Sequence, residues 1–180
     1  MVNKSNSFNK SVISSHKYNF SYLTSHGKKF PKLYVRKSKI NSKGTFSREN
    51  IRKGRIVCPL IGIVYIMSKK NEDYFQHSYQ ISNNLAVEPV NESKFFNHSC
   101  SPNVFINKNW VFEAIKDIKK GDEIVIDYGC VDFVNYLFKC GCNSDKCRMK
   151  IDGLVPSNKK FQKTTGKYFS PYLKSKFKLK

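Results

Sequence analysis

Three cysteines in the C-terminal third of the chain, Cys140, Cys142 and Cys147, stand in the spacing C-x-C-x4-C. Thiols this close in sequence are poorly placed to bridge one another as disulfides, whereas their thiolates can converge on one ion. A structural zinc site is usually closed by four N or S ligands, so another must come from elsewhere. Cys100, in the run Asn97-His98-Ser99-Cys100-Ser101-Pro102-Asn103, is the candidate. Clustered metal thiolates also imply a reducing intracellular setting. Cys58 and Cys130, the remaining pair, read as small core residues. A second reactive group lies in Ile126-Asp127-Tyr128-Gly129, where an apolar run breaks into a turn and presents a phenolic hydroxyl.

These residues carry a family resemblance. The segments Phe95-Phe96-Asn97-His98-Ser99-Cys100-Ser101-Pro102-Asn103 and Lys119-Lys120-Gly121-Asp122-Glu123-Ile124-Val125-Ile126-Asp127-Tyr128, followed by the cysteine tail, come in one order. They resemble the two signature motifs and the post-SET zinc motif of SET-domain protein lysine methyltransferases. Upstream, Ser42-Lys43-Gly44-Thr45-Phe46, then Ile51 to Val57 and Gly62, is similar to the family's opening motif, with Ser42 where a first glycine would stand. The resemblance covers about residues 31–155 and is closest to the short, stand-alone type.

The resemblance implies a fold, a reaction and roles. The fold is mostly β: a β-clip-like SET fold of several small sheets with short helices, a post-SET zinc segment and basic flanking tails. The reaction is transfer of methyl groups from S-adenosylmethionine to a lysine of a protein substrate, by default a histone. A lysine amine has an unperturbed pKa of about 10.4, so it must lose a proton and water before it can act. Tyr128 would be the catalytic tyrosine, holding methyl and nitrogen in line rather than abstracting a proton. Asn97 and His98 would serve the cofactor, with Lys43, Gly44 and Thr45 offering main-chain groups around its methionine end, since glycine permits close approach. Phe138, just before the first tail thiolate, would pack on the cofactor or simply in the core. Zinc held by Cys100, Cys140, Cys142 and Cys147 would fasten the tail over the cofactor motif and complete the lysine channel.

Departures from the pattern fall on that channel. Where many members read Tyr-x-Gly-Glu, this chain has Leu60-Ile61-Gly62-Ile63. Tyr79 or Tyr65 would have to supply the missing hydroxyl. Ile126 and Ile106 occupy positions where aromatic residues tune the number of methyl groups, which points to multiple methylation.

The elements that must position these groups are short. Strand-like runs occur at Leu33–Val35, Arg55–Leu60, Ile61–Ile66, Ser78–Ile81, Leu85–Val87, Val104–Ile106, Trp110–Ala114 and Glu123–Ile126. Turn signals at 41–44, 53–54, 83–84, 107–109 and 120–121 separate them. Helical patterning is confined to Met67–His77 and, with aromatics among lysines, Asn158–Lys180. The predicted organisation is a basic N-terminal segment over 1–30, disordered or loosely docked, a SET domain over 31–135, the zinc segment over 136–155 and a basic extension over 156–180. Within the first, Tyr18, Phe20, Tyr22 and Leu23 form either a short docking element or scattered aromatics.

Charge is concentrated at the ends. The net charge is +20 in 180 residues, yet residues 1–50 hold 11 Lys+Arg against one acid, residues 51–155 hold 14 against 12, and residues 156–180 hold 8 against none. The segments therefore carry +10, +2 and +8. Basic flanks attract phosphate backbones or other acidic surfaces, or merely confer solubility. They would repel a basic peptide, which favours chromatin, where DNA lies between, or an acidic non-histone substrate. No apolar run approaches the roughly 18 residues that span a bilayer, so the expectation is a soluble protein without a membrane partner, of nucleus or chromatin, a host cell's included. Two rivals remain open: a non-catalytic zinc module that binds nucleic acid through its basic, aromatic-bearing arms, and an inactive scaffold for protein interaction.

Overall fold

The computed structural model describes residues 11–12, 29–67 and 77–180. The architecture is mostly β, in several small sheets, as the sequence predicts. A four-stranded sheet runs in the order β1 (Ser11–Val12), β5 (Gly62–Ile66), β7 (Leu85–Pro89), β6 (Tyr79–Gln80). A three-stranded sheet is ordered β4 (Ile56–Pro59), β10 (Val111–Ala114), β9 (Val104–Ile106). Three two-stranded pairs complete the β structure: β2 (Leu33–Lys37) with β3 (Lys43–Ser47), β8 (Asn97–His98) with β11 (Val125–Ile126), and β12 (Leu137–Lys139) with β13 (Lys150–Asp152). Two seven-residue helices follow, α1 (Lys159–Thr165) and α2 (Pro171–Phe177). Among the described residues no helix is long and apolar enough to cross a membrane. The helical patterning at 68–76 and the aromatics at 18–23 lie outside the described residues.

Apolar residues of these strands and of the segments between them converge on one core of Ile51, Val57, Val64, Val87, Phe96, Val104, Phe112, Ile118 and Ile124 with their neighbours. Phe112 is wholly enclosed and meets Tyr79 and Phe96 edge-on, at 5.3 and 4.9 Å between ring centroids. Each such side chain contributes about 1.5–3 kcal/mol by leaving water. Leu60, which replaces the expected tyrosine, is part of this core. Ile106 and Ile126 are each 1% exposed and belong to the same cluster.

The C-terminal patterning resolves into two short helices. Asn158 caps α1, its side chain accepting from Phe161 N. Ser170 caps α2 by accepting from Leu173 N, with Pro171 in the first turn, where its missing N–H costs nothing. Phe169, Tyr172 and Leu173 bury against Cys130 in a second cluster, flanked by Trp110 and Phe133. The aromatics among lysines thus serve packing here.

The pair β8–β11 brings the two sequence motifs together. It is parallel, with Asn97 opposite Val125 and His98 opposite Ile126. Two residues make so short a ladder weak, and Asn103 extends it: its amide donates to Glu123 O at 2.8 Å and its carbonyl accepts from Val125 N at 2.8 Å. Ser99 N and Asn103 N add bonds to Ile126 O and Val125 O. An asparagine side chain here imitates a strand, and the chain can then leave β11 directly into the turn at Tyr128–Cys130.

Candidate active site and metal centre

Asn97, His98 and Tyr128 meet at the end of this parallel pair. Asn97 is buried and its amide donates to Lys43 O at 2.9 Å and to Glu123 Oε1 at 2.7 Å, with a longer approach to Asn41 O. Glu123 also accepts from the Ser38 hydroxyl at 2.8 Å. Gly44 lies inside this junction, where a Cβ would collide with the Glu123 carboxylate and stand 3.0 Å from Asn97 Nδ2. The absence of a side chain at Gly44 is what lets Lys43, Asn97 and Glu123 converge there. Thr45 is buried and donates to Glu92 O at 2.6 Å, while Lys43 is exposed with its ammonium 5.8 Å from the Phe95 ring. Ser42 adopts φ +36°, in the left-handed region that favours glycine, which explains why glycine suits that position of the motif.

Tyr128 is half-buried and its hydroxyl donates to Phe96 O at 3.1 Å. Burial, and then the charges of Asp132 and Glu123, push this phenol well above its ordinary range, so it stays protonated. His98 accepts at Nδ1 from Tyr128 N at 3.2 Å, which assigns its proton to Nε2, 3.3 Å from Cys100 Sγ. Burial draws the imidazole down to about 4. A neutral ring donating to a thiolate sulfur is what holds and orients a metal ligand without being one.

The metal reading rests on geometry. The Sγ atoms of Cys100, Cys140, Cys142 and Cys147 all lie within 4.8 Å of one another, and Cys100 and Cys140 are 3.9 Å apart. Four thiolates about 2.3 Å from a tetrahedral zinc stand roughly 3.8 Å apart. The donor set fits zinc, and its members come from segments forty residues apart.

Sequence reasoning missed Arg148. Immediately after the last cysteine, its guanidinium grips Asp127 with two bonds of 2.7 Å, and its own N–H approaches Cys100 Sγ at 3.3 Å. Asp127 is 2% exposed and caps the Tyr128 turn by accepting from Gly129 N at 3.0 Å. The metal segment and the turn bearing Tyr128 are thus joined by one bidentate ion pair, and Arg148 also lies 5.1 Å from the Phe161 ring of α1. Only the position after Cys147 could have flagged it. Arg148→Ala should cost about 2–3 kcal/mol, less than the 3–5 of a fully buried pair because the guanidinium is partly in water. Chemical unfolding of variant and wild type, both zinc-loaded, measures it.

The other expected residues are placed as follows. Phe138 is 61% exposed and stacks on Tyr136 at 5.4 Å. Tyr79 is buried, with its hydroxyl donating to Ser93 O at 2.7 Å, and Tyr65 donates to the Ser78 hydroxyl at 2.6 Å. Ile106 of β9 and Ile126 of β11 sit in the main core.

Comparison with known proteins agrees with this fold. Residues 42–129 match the family model described as SET domain. Over those residues the chain is similar to a SET domain. It is 28% identical over 139 residues to the variant-silencing SET domain-containing protein of Plasmodium falciparum, a match over 64% of this chain and 5% of that protein. To the histone-lysine N-methyltransferase ASHH3 of Arabidopsis thaliana it is 27% identical over 161 residues, 75% of this chain and 43% of that protein. KRYPTONITE, solved with mCHG DNA and SAH, matches with a TM-score of 0.56 and 26% identity, over 69% of this chain and 30% of that one. The chain therefore spans a small part of these relatives. The SET match ends just after Tyr128, and the four-thiol cluster draws its last three members from beyond it.

Proposed function

We propose that this SET domain is a zinc-containing, S-adenosylmethionine-dependent protein-lysine N-methyltransferase acting on histone tails. The observation that carries the proposal is the convergence of Asn97, His98 and Tyr128 at one strand end, joined to the four-thiol cluster through Asp127 and Arg148. Lys43, Gly44, Thr45, Asn97 and His98 would hold the methyl donor, the absent side chain at Gly44 letting β3 close against the Glu123 carboxylate and the Asn97 amide. When bound, the donor supplies an electrophilic methyl group on a sulfonium. Tyr128, kept protonated, would orient the acceptor nitrogen with its hydroxyl oxygen, and Phe138 would close over the donor from β12.

Histone is the acceptor class of relatives such as ASHH3, and KRYPTONITE has been solved with mCHH DNA, an H3(1–15) peptide and SAH. The basic flanks, +10 and +8 around a nearly neutral +2 core, suit a substrate presented on DNA and hence a nuclear setting. The test is label transfer from S-adenosylmethionine to core histones and to intact nucleosomes. Nucleosomes should be preferred at low ionic strength, with the preference falling as salt rises. No label on any histone, from protein that holds zinc, would overturn the proposal in favour of a scaffold.

A further inference from the structure

Behind Tyr128 the chain makes one helical turn, in which Val131 N and Asp132 N both donate to Tyr128 O at 3.0 Å. The turn thereby brings the Asp132 carboxylate near enough to Tyr128 for its charge to raise that phenol. Strand β6 fixes it from the other side. Gln80 N donates to Asp132 Oδ1 at 3.0 Å, and Phe133 N returns to Gln80 Oε1 at 2.7 Å. Four residues on, the Tyr136 hydroxyl is buried and has no hydrogen-bond partner in the described structure. Its ring is held against Gly153, where a Cβ would stand 2.9 Å from it.

The Asp132 carboxylate acts on five phenols: Tyr65 of β5, Tyr79 of β6, Tyr128 and Tyr136 on either side in sequence, and Tyr172 of α2. Burial, foremost, raises every one of them, so they stay protonated near neutrality. Burial also lifts Asp132 to about 7 against the pull of Gln80 N–H. Among the described residues no lysine, arginine or histidine forms a salt bridge with it. A carboxylate held even partly away from water is normally paired, and around this half-buried one the described residues offer phenols, one of them with an unpartnered hydroxyl.

We propose that Asp132 binds the ammonium of the acceptor lysine beside Tyr128 and then takes a proton from it. The inference rests on the methyltransferase reading. One N–H bond breaks with its electron pair left on nitrogen, an O–H bond forms on Asp132, and ammonium plus carboxylate become amine plus carboxylic acid. The freed lone pair makes the nitrogen nucleophilic, and Asp132 returns its proton to water as product leaves. The missing tyrosine at Leu60 fits this arrangement, since a carboxylate does by charge what a hydroxyl does by hydrogen bonding.

Asp132→Asn keeps the acceptor for Gln80 N, so a merely structural role predicts no change. Wild type, Asp132→Asn and Asp132→Glu are compared for label transfer to core histones from about pH 6 to 10, with melting temperature recorded for each. Wild-type kcat/KM should rise with pH as Asp132 ionises near 7, because below that it carries no charge to hold the ammonium. Asp132→Asn should lose about 10²–10⁴-fold at neutral pH, the usual worth of a positioned base. It should raise KM for histone and recover as pH approaches the lysine's own value of about 10.4. Partial activity in Asp132→Glu supports the charge. An active wild type matched within about twofold by Asp132→Asn at every pH overturns the inference alone. A wild type that rises only above about pH 9 does the same without any variant, should Asp132→Asn fail to fold. A wild type that transfers no label removes the methyltransferase reading and this inference with it.

Discussion

Tyr128→Phe should lower methyl transfer by about 10²–10³-fold while leaving the folded protein almost unchanged. The substitution deletes a single oxygen. In stability terms it removes one hydrogen bond, to Phe96 O at 3.1 Å, worth about 0.5–1.5 kcal/mol, and the ring keeps its place against His98 at 5.3 Å between centroids. In catalytic terms it removes a fixed dipole at the point where charge moves, which elsewhere costs about 2.7–4 kcal/mol of transition-state stabilisation. At about 1.36 kcal/mol per decade, that is two to three orders of magnitude. The two effects separate cleanly because the hydroxyl is held rather than free: its partner is a main-chain carbonyl of the residue preceding Asn97. Label transfer to core histones at saturating donor, with the melting temperature taken on the same samples, measures both. Turnover equal to wild type would take Tyr128 out of the mechanism, and a collapsed melting temperature would make it a core residue instead.

What was legible in the sequence was whatever depends on residue type at short spacing. The C-x-C-x4-C run, Asn97-His98 and Ile-Asp-Tyr-Gly name their own chemistry. The strands at 56–59, 62–66, 85–89, 104–106 and 111–114 follow from runs of apolar and β-branched residues. Strand β3 was hidden because Lys43-Gly44-Thr45 reads as a glycine turn, while the structure uses that glycine as a strand residue with no room for a Cβ beside Glu123. Strands β12 and β13 were hidden because their residues are exposed or half-buried and carry no alternation toward a core. At the site, the sequence says nothing of what Glu123, Asp127 and Asp132 bind. Their partners, Asn97, Arg148 and Gln80, are 26, 21 and 52 residues away, and no local pattern encodes pairings at that range. Ser42 is the instructive exception. Read as a departure from a glycine motif, it retains the glycine's left-handed backbone, so the sequence had marked a conformation rather than a defect.

Cys147→Ser should lower bound zinc toward zero and abolish methyl transfer together with it. Serine is a poor ligand for zinc at neutral pH, and three thiolates leave the tetrahedron open. Structural zinc contributes about 10–16 kcal/mol of apparent binding free energy to such a segment, and little else holds this one: β12 is exposed along its length, and Leu137 and Phe138 are 65% and 61% exposed. The consequence reaches past the metal. Cys147 adjoins Arg148, so a tail that lets go of zinc loosens the guanidinium from Asp127, and with it the cap of the turn that presents Tyr128. Zinc content, protease cleavage within 136–155 and label transfer should therefore fail together, and chelation of wild type should reproduce all three. Cys130→Ala removes a thiol of the second core cluster and should keep full zinc, whatever it costs in stability. Full zinc in Cys147→Ser would show that another residue completes the site. Lost zinc with undiminished transfer would cut the link through Arg148 and leave the metal a fastening for the tail alone.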